Sequence, residues 1–377
     1  MLHVSYFSNQ FADRQGHGLA RYSRELFFAL KATAQADTVI TPVSAWSSKP
    51  VEELASWQAT TGLQLLPWGR RFTPAAWAFL GRPTIEHWLP ATDIVHAVAL
   101  GYPIATKKPL VVTVHDLGPL THPEFFQNTK PWIMQKALDQ AVNQAAAIIC
   151  VSQSTADELL EYVGPSIEDR VQVVYEGVSE HFFQPVDEQC LDQLSNLPPT
   201  GVPFILATGK ISPRKNIHGL VAALSRLVDD IPHHLVLIGG DGWDMEAVRK
   251  QLVNPMVRER VHFAGYVTDE QLRALYKRAS IYVHPSLYEG FGLTVLEAMA
   301  VGCPVITSNV YSLPEVAGDA AVLVDPQDTN QLAEAVEMIC RDESFAGQLV
   351  EKGQQRATAF DWKDCAARVL DVYRLVG

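Results

Sequence analysis

The chain has 377 residues, 47% hydrophobic and 19% charged, with 42 acidic against 30 basic side chains and a net charge of −12. That length exceeds one ordinary core and suits two α/β domains, while the negative charge argues against non-specific nucleic-acid binding, which needs a positive field. No apolar run reaches the ~18 residues of a membrane span, and five dispersed cysteines without a Cys-x-x-Cys pair read as reduced thiols of a cytoplasmic protein.

In chain order, Met1 to Phe7 lacks the basic-then-apolar plan of a signal peptide and reads as a first strand, 2–7. The loop Gln15-Gly-His-Gly-Leu-Ala-Arg-Tyr22 leads into a helix over 17–34. It falls short of a dinucleotide fingerprint, because Arg21 stands at the third glycine position and only Asp37 offers a ribose acid downstream. Further strands are expected at 37–43, 94–98, 110–115, 147–151 and 171–175, with helices at 130–145 and 153–163. The segment Trp68 to Arg82 reads as a short helix capped by Thr73, with Pro74 at its first position and Gly81 beyond its end. It would carry Trp77, Phe79 and Leu80 among Arg70, Arg71 and Arg82. Two readings stay open there: an anionic membrane interface, or a core helix with solvated arginines. His115-Asp116 ends the strand at 110–115, and Asp116 either orients the ring or caps the next turn.

A polar linker from Gln184 to Pro203 precedes a second strand set at 203–208, 234–239, 261–264, 281–284, 304–307 and 321–323. Helices are expected at 215–229, 243–253, 269–279, 293–301, 330–341, 344–358 and 361–375. Strands alternating with helices predict parallel sheets covered on both faces. Lys210, Arg214 and Lys215 follow a strand end, where a diphosphate would sit; Arg214 reads equally well as a solvated neighbour. Tyr266-Val267 precedes Thr268-Asp-Glu270, an N-cap and capping box, and backbone groups there would read a nucleobase edge. His233-His234 reads as a solvated loop. No Asp-x-Asp motif and no His-x3-His pair suggests a metal site.

The densest signal is His284-Pro-Ser-Leu-Tyr-Glu-Gly-Phe-Gly-Leu-Thr-Val-Leu-Glu-Ala-Met-Ala300. Gly290-Phe291-Gly292 opens a helical run with one carboxylate on either side, Glu289 and Glu297. Unpaired N–H groups and the helix dipole at such a turn favour a phosphate. Carboxylates beside a phosphate repel it, so they must face hydroxyls instead. The segment reads as a nucleotide-sugar cradle.

These residues resemble the glutamate-x7-glutamate signature of retaining glycosyltransferases of the GT-B type, family 4, mannosyltransferase-like enzymes of bacterial surface polysaccharide assembly. Gly209 to Asn216, Ile238 to Trp243, Phe263 to Glu270 and Ser312 to Gly318 resemble further family landmarks in the expected order. The resemblance implies two doubly wound Rossmann-like domains facing a cleft: 1–180 for the acceptor, 181–355 for the nucleotide sugar, and 356–377 as a C-terminal helix crossing back to the first. It implies that Glu289 contacts the donor sugar, Glu297 the ribose, and Lys210 and Lys215 the diphosphate. Gly18, Gly290, Phe291, Gly292, Leu293, Thr294, Tyr266 and Val267 complete the donor site. His115 would contact the sugar, and Arg21 and Asp116 would serve the acceptor. Thr294 departs from the proline common in the family. The donor implied is GDP-mannose or a GDP-deoxyhexose such as GDP-rhamnose, with UDP- and dTDP-sugars as alternatives. The acceptor is a glycan or polyprenyl-diphosphate-linked saccharide. No cofactor or metal is implied, and the place of action is the cytoplasm, at the inner face of the membrane. A GT-B epimerase or phosphorylase and a non-catalytic sugar-nucleotide-binding subunit remain as rivals.

Overall fold

The computed structural model describes residues 1–12, 18–45, 52–127 and 129–377, with the side chains of Ala12, Glu52, Glu53, Arg70 and Arg71 outside that description. Gln15, Gly16 and His17 of the first loop therefore lie outside the described residues. Two compact units form: residues 1–177 with 361–377, and residues 178–360. The sequence reading set its borders at 180 and 355.

In the first unit the described strands are β1 (Leu2–Phe7), β2 (Thr38–Ser44), β3 (Gln64–Leu65), β4 (Ile94–Ala97), β5 (Leu110–Val114), β6 (Ala145–Cys150) and β7 (Val171–Val173). They lie in the order β3-β2-β1-β4-β5-β6-β7, all pairs parallel, with Val4 opposite both Ile40 and Ile94. β5 is buried at every residue, which accounts for its unbroken apolar run. The second unit holds β8 (Phe204–Thr208), β9 (His234–Ile238), β10 (Val261–Gly265), β11 (Ile281–His284), β12 (Val305–Ser308) and β13 (Val322–Val324). Their order is β10-β9-β8-β11-β12-β13. Each unit has its own apolar core. One joins Phe7, Trp77, Val95, Val112, Leu138 and Ile148; the other joins Ile205, Leu220, Leu237, Val283, Ile306 and Val336.

The last helix, Trp362–Val376, belongs to the first unit and packs on the helix Gly18–Thr33. Tyr373 on it hydrogen-bonds His96 Nδ1 of β4 at 2.6 Å, and His96 Nε2 meets Thr113 Oγ1 of β5 at 2.8 Å. This buried polar chain ties the helix to two strands. Burial first and His115 second favour the uncharged ring and lower His96 to about 3.

Several expectations need correction. The helix expected from Pro74 runs over Gly69–Leu80, with Pro74 inside it and Thr73 buried rather than capping; Gly81 does end it in the left-handed region, at φ 60°. Trp77 is 3% exposed, a core residue whose Nε1 donates to Pro83 O, so it presents nothing to a membrane. Thr268 caps its helix as expected, but the reciprocal partner is Gln271, the residue at the third helical position, and not Glu270. His233 is buried and His234 begins β9, with Nδ1 at 2.8 Å from His262 Nε2; neither is a solvated loop residue. Beyond the expected elements, the structure holds β3, the four- to six-residue helices Ile85–Trp88, Gly118–Thr121, Pro255–Arg260 and Leu313–Ala317, and the ten-residue helix Glu52–Thr61.

Candidate functional site

The second sheet reverses its strand order at β8, which pairs with β9 on one side and β11 on the other. Open α/β sheets take ligands outside the carboxyl ends of their strands at such a reversal. Thr208 ends β8 and His284 ends β11, so the segments that follow, 209–216 and 285–292, meet there. Their contact is specific. Leu287 N donates to Arg214 O at 2.7 Å, and Arg214 Nη1 donates to Tyr288 O at 2.9 Å. Asn216 sits in the left-handed region at φ 51° and donates to Pro326 O, holding the basic turn against the rest of the unit.

Glu289 is the centre of this junction. Its Oε1 accepts from Lys215 Nζ at 2.6 Å, Ser286 Oγ at 2.8 Å and His284 Nε2 at 3.1 Å. Its Oε2 lies 2.5 Å from Arg214 Nη1. Burial works to raise the carboxyl, but Arg214 and Lys215 with His284 outweigh it and hold Glu289 well below the usual carboxylate range. Burial pulls the Lys215 ammonium down, against the raising pull of Glu289. His284 is 2% exposed; burial first and Lys215 second lower it to about 4, so it is neutral near pH 7.

The glycine turn is pinned from a third segment. Ser312 Oγ bonds both Glu289 O, at 2.9 Å, and Phe291 O, at 2.8 Å. Gly292 is the N-cap of the helix Leu293–Val301 at φ 107°, and a Cβ there would strike Leu313; both the conformation and the space call for glycine. Glu289 lies three residues ahead of this cap, outside the helix. Glu297, within the helix, is 2% exposed, so it is not on a solvated face. Gly290, Phe291, Leu293 and Thr294 complete the turn and first helical positions, and Thr294 Oγ1 is 3.4 Å from His284 Nδ1.

Other expected residues fall around or away from this cluster. Lys210 is exposed, its Nζ 5.4 Å from the centre of the Trp243 ring. Tyr266 is half exposed at the end of β10, its hydroxyl against Gly240, with Val267 beside it. In the first unit, Gly18 begins a helix and Arg21 is partly buried within it. His115 follows β5 with both ring nitrogens engaged: Nδ1 at 3.2 Å from Glu176 Oε1 and Nε2 at 3.0 Å from Val98 O. The Tyr22 ring meets it edge-on at 4.4 Å. Asp116 Oδ1 accepts from Gly118 N, capping the turn.

Sequence reasoning undervalued Arg214, which pairs with Glu289, and did not single out Thr208, Tyr282, His284, Ser286 or Ser312. A signal existed for His284, since it ends a strand as His115 does, and for Ser286, three residues before Glu289. Ser312 opened a recognised motif, but nothing local links it to the turn it pins.

Comparison with known proteins agrees with this geometry. The family described as Glycosyl transferases group 1 matches residues 192–356, and Glycosyltransferase Family 4 matches residues 16–182. The O-antigen chain mannosyltransferase B of Escherichia coli is 34% identical over 269 residues, covering 71% of this chain and 70% of the relative. Among solved structures, sucrose-phosphate synthase from Thermosynechococcus elongatus superposes with a TM-score of 0.78 at 23% identity, over 100% of this chain and 99% of that one. Anabaena Alr3699/HepE, solved with UDP and glucose, gives a TM-score of 0.76 at 16% identity, with both chains fully covered. Two parallel Rossmann-like sheets, the ordered motifs and these matches lead to one conclusion: the chain belongs to the family 4 glycosyltransferases and has their GT-B fold.

Proposed function

We propose that this glycosyltransferase moves a hexose, mannose or D-rhamnose from its GDP-sugar, with retention, to a growing saccharide or polyprenyl-diphosphate-linked acceptor of a bacterial surface polysaccharide. The observation that carries the reading is the Arg214–Glu289–Lys215 cluster beside the Gly290–Gly292 turn. Its two cations and the N-terminus of the helix Leu293–Val301 suit a diphosphate, and its carboxylate suits sugar hydroxyls. The similarity to an O-antigen mannosyltransferase supports mannose.

In this mechanism the bond between the sugar anomeric carbon and the diphosphate oxygen breaks while the acceptor oxygen attacks from the same face. The acceptor proton passes to the leaving phosphate oxygen. Lys215, Arg214, Lys210 and the turn amides stabilise the charge growing on the diphosphate. Glu297 holds the ribose, and backbone groups of Tyr266 and Val267 meet the base. The amides and cations perform the task that a divalent ion performs elsewhere, so turnover is expected to persist in EDTA.

The reaction would take place in the cytoplasm, at an anionic membrane face. No helix among the described residues is long and apolar enough to cross a membrane. Contact would come from the helix Gly69–Leu80, which exposes Phe72, Phe79 and Leu80 next to the exposed Trp132.

The deciding experiment incubates the protein with GDP-mannose, GDP-rhamnose, UDP-glucose and dTDP-rhamnose, with and without EDTA, and measures released nucleoside diphosphate and the anomeric configuration of the product. Turnover of a UDP- or dTDP-sugar alone would replace the donor, activity restored only by Mg²⁺ or Mn²⁺ would remove the metal-free model, and an inverted product would remove retention. Binding without turnover of any donor would favour a non-catalytic subunit.

A further inference from the structure

Both oxygens of Glu289 are engaged by side chains of this unit. Four donors converge on its two oxygens, and two of them are the cations proposed to serve a diphosphate. On the proposed diphosphate site, a donor with at least two negative charges would draw Arg214 and Lys215 away from a single carboxylate. Glu289 then loses its charged partners at the step where it must hold its orientation toward the sugar. The two neutral donors, His284 and Ser286, remain.

The hydrogen-bond chemistry behind His284 is closed. Nε2 faces a carboxylate oxygen that can only accept, and the Ser286 hydroxyl, which itself donates to Glu289. An Nε2 lone pair there would confront the carboxylate, so Nε2 carries the proton. Nδ1 must then accept, and the Tyr282 hydroxyl at 3.0 Å is a nearer donor than Thr294 Oγ1 at 3.4 Å. Tyr282 Oη is 2.8 Å from Thr208 Oγ1. The buried chain therefore runs in one direction: Thr208 donates to Tyr282, Tyr282 to His284, and His284 to Glu289. Its members come from the ends of β8 and β11, the two strands at the reversal point. Tyr276 meets the Tyr282 ring edge-on at 5.1 Å and restrains it.

We infer that His284 is a positioning residue, set as the Nε2–H tautomer by the Glu289 carboxylate and held from behind by Tyr282 and Thr208, which keeps Glu289 in place after Arg214 and Lys215 turn to the diphosphate. A neutral ring suits this task, because a charged one would compete with the sugar hydroxyls for the carboxylate. The inference rests on the proposed role of Glu289 toward the donor sugar.

The test has two readouts. Nitrogen-15 spectra of the histidine rings at neutral pH should assign His284 as a single Nε2–H tautomer, and Tyr282→Phe should shift the Nδ1 resonance, which loses its nearest donor, while the Nε2–H form stays. A wild-type ring that is doubly protonated or Nδ1–H overturns the inference. With GDP-mannose as the probe, His284→Phe should lower kcat roughly ten- to a hundredfold, the worth of a hydrogen bond to a charged group, while GDP affinity by calorimetry holds. His284→Gln, which keeps a donor at the same reach, should recover most of that loss, and it serves as the variant if His284→Phe misfolds. Equal kcat in wild type and His284→Phe overturns the inference, provided Glu289→Ala is impaired. If Glu289→Ala also turns over normally while the tautomer is as stated, the role of Glu289 fails and the hydrogen-bond chain stands.

Discussion

Glu289 shows how a side chain's type and place in the chain can point to a role while leaving its protein partners open. Its position before a glycine turn points to hydroxyl recognition, yet the structure spends both its oxygens on Arg214, Lys215, His284 and Ser286. Two opposite consequences follow for substitutions. Glu289→Ala should lower turnover by about a hundredfold or more, the scale of losing a positioned polar group at a reacting centre, without weakening binding of free GDP, because it releases both cations. Lys215→Ala should weaken binding of both GDP and GDP-sugar. Calorimetry on the two variants separates the roles, and unchanged GDP affinity in Lys215→Ala would remove that lysine from the diphosphate site.

At the scale of elements, the last helix and the helix Gly69–Leu80 make distinct claims. Tyr373→Phe leaves His96 Nδ1 without its hydroxyl partner in a fully buried place, which should cost about 1–3 kcal/mol. A lower urea midpoint, with faster amide exchange in Trp362–Val376, would register it. For the second helix, Phe79 is 66% exposed and Leu80 72%, while Lys136 Nζ lies 4.5 Å from the Phe79 ring centre and Arg82 is exposed. Apolar side chains edged by cations suit an anionic bilayer surface. Flotation with anionic vesicles should be salt-sensitive and should drop when Phe72, Phe79 and Leu80 are changed to serine together. Equal flotation of the variant would make this helix an ordinary part of the first unit.

For the whole molecule, each unit buries a histidine held strongly toward the neutral form: His96 in the first, lowered to about 3, and His284 in the second, lowered to about 4. An unfolded histidine titrates near 6.5, so below that value the unfolded chain binds protons that the folded chain refuses. The stability each ring contributes is complete above about pH 6.5 and is lost as pH falls toward its folded value, on the order of 3 kcal/mol for His284. Glu289, depressed by its cations, adds a loss of the same sign below about pH 4.5. Thermal melts should therefore fall from pH 6.5 to pH 4, and His284→Gln should flatten that slope. A melting temperature unchanged across this range would contradict the burial of both rings.

The amino-acid sequence by itself determined the alternation of strands and helices, the two sheets and the family. Strand periodicity, caps and glycine turns are local properties, which is why β1, β5, β9 and the helix Leu293–Val301 were legible. The same locality made Gly292 and the basic turn at 210–215 recognisable before any contact was known. Only the tertiary structure decided which charges meet. The pairing of Arg214 with Glu289 spans two loops brought together by the β8–β11 neighbourhood, and parallel neighbours can be far apart in the chain. Burial was equally illegible: Thr73 and His233 have the residue types of a cap and a surface, Trp77 fitted either reading of its helix, and the packing of their units put all of them inside. His284 unites both limits. Its place at a strand end could be read, but its tautomer is set by Glu289 and backed by Thr208 through Tyr282, and only the sheet order brings those groups together.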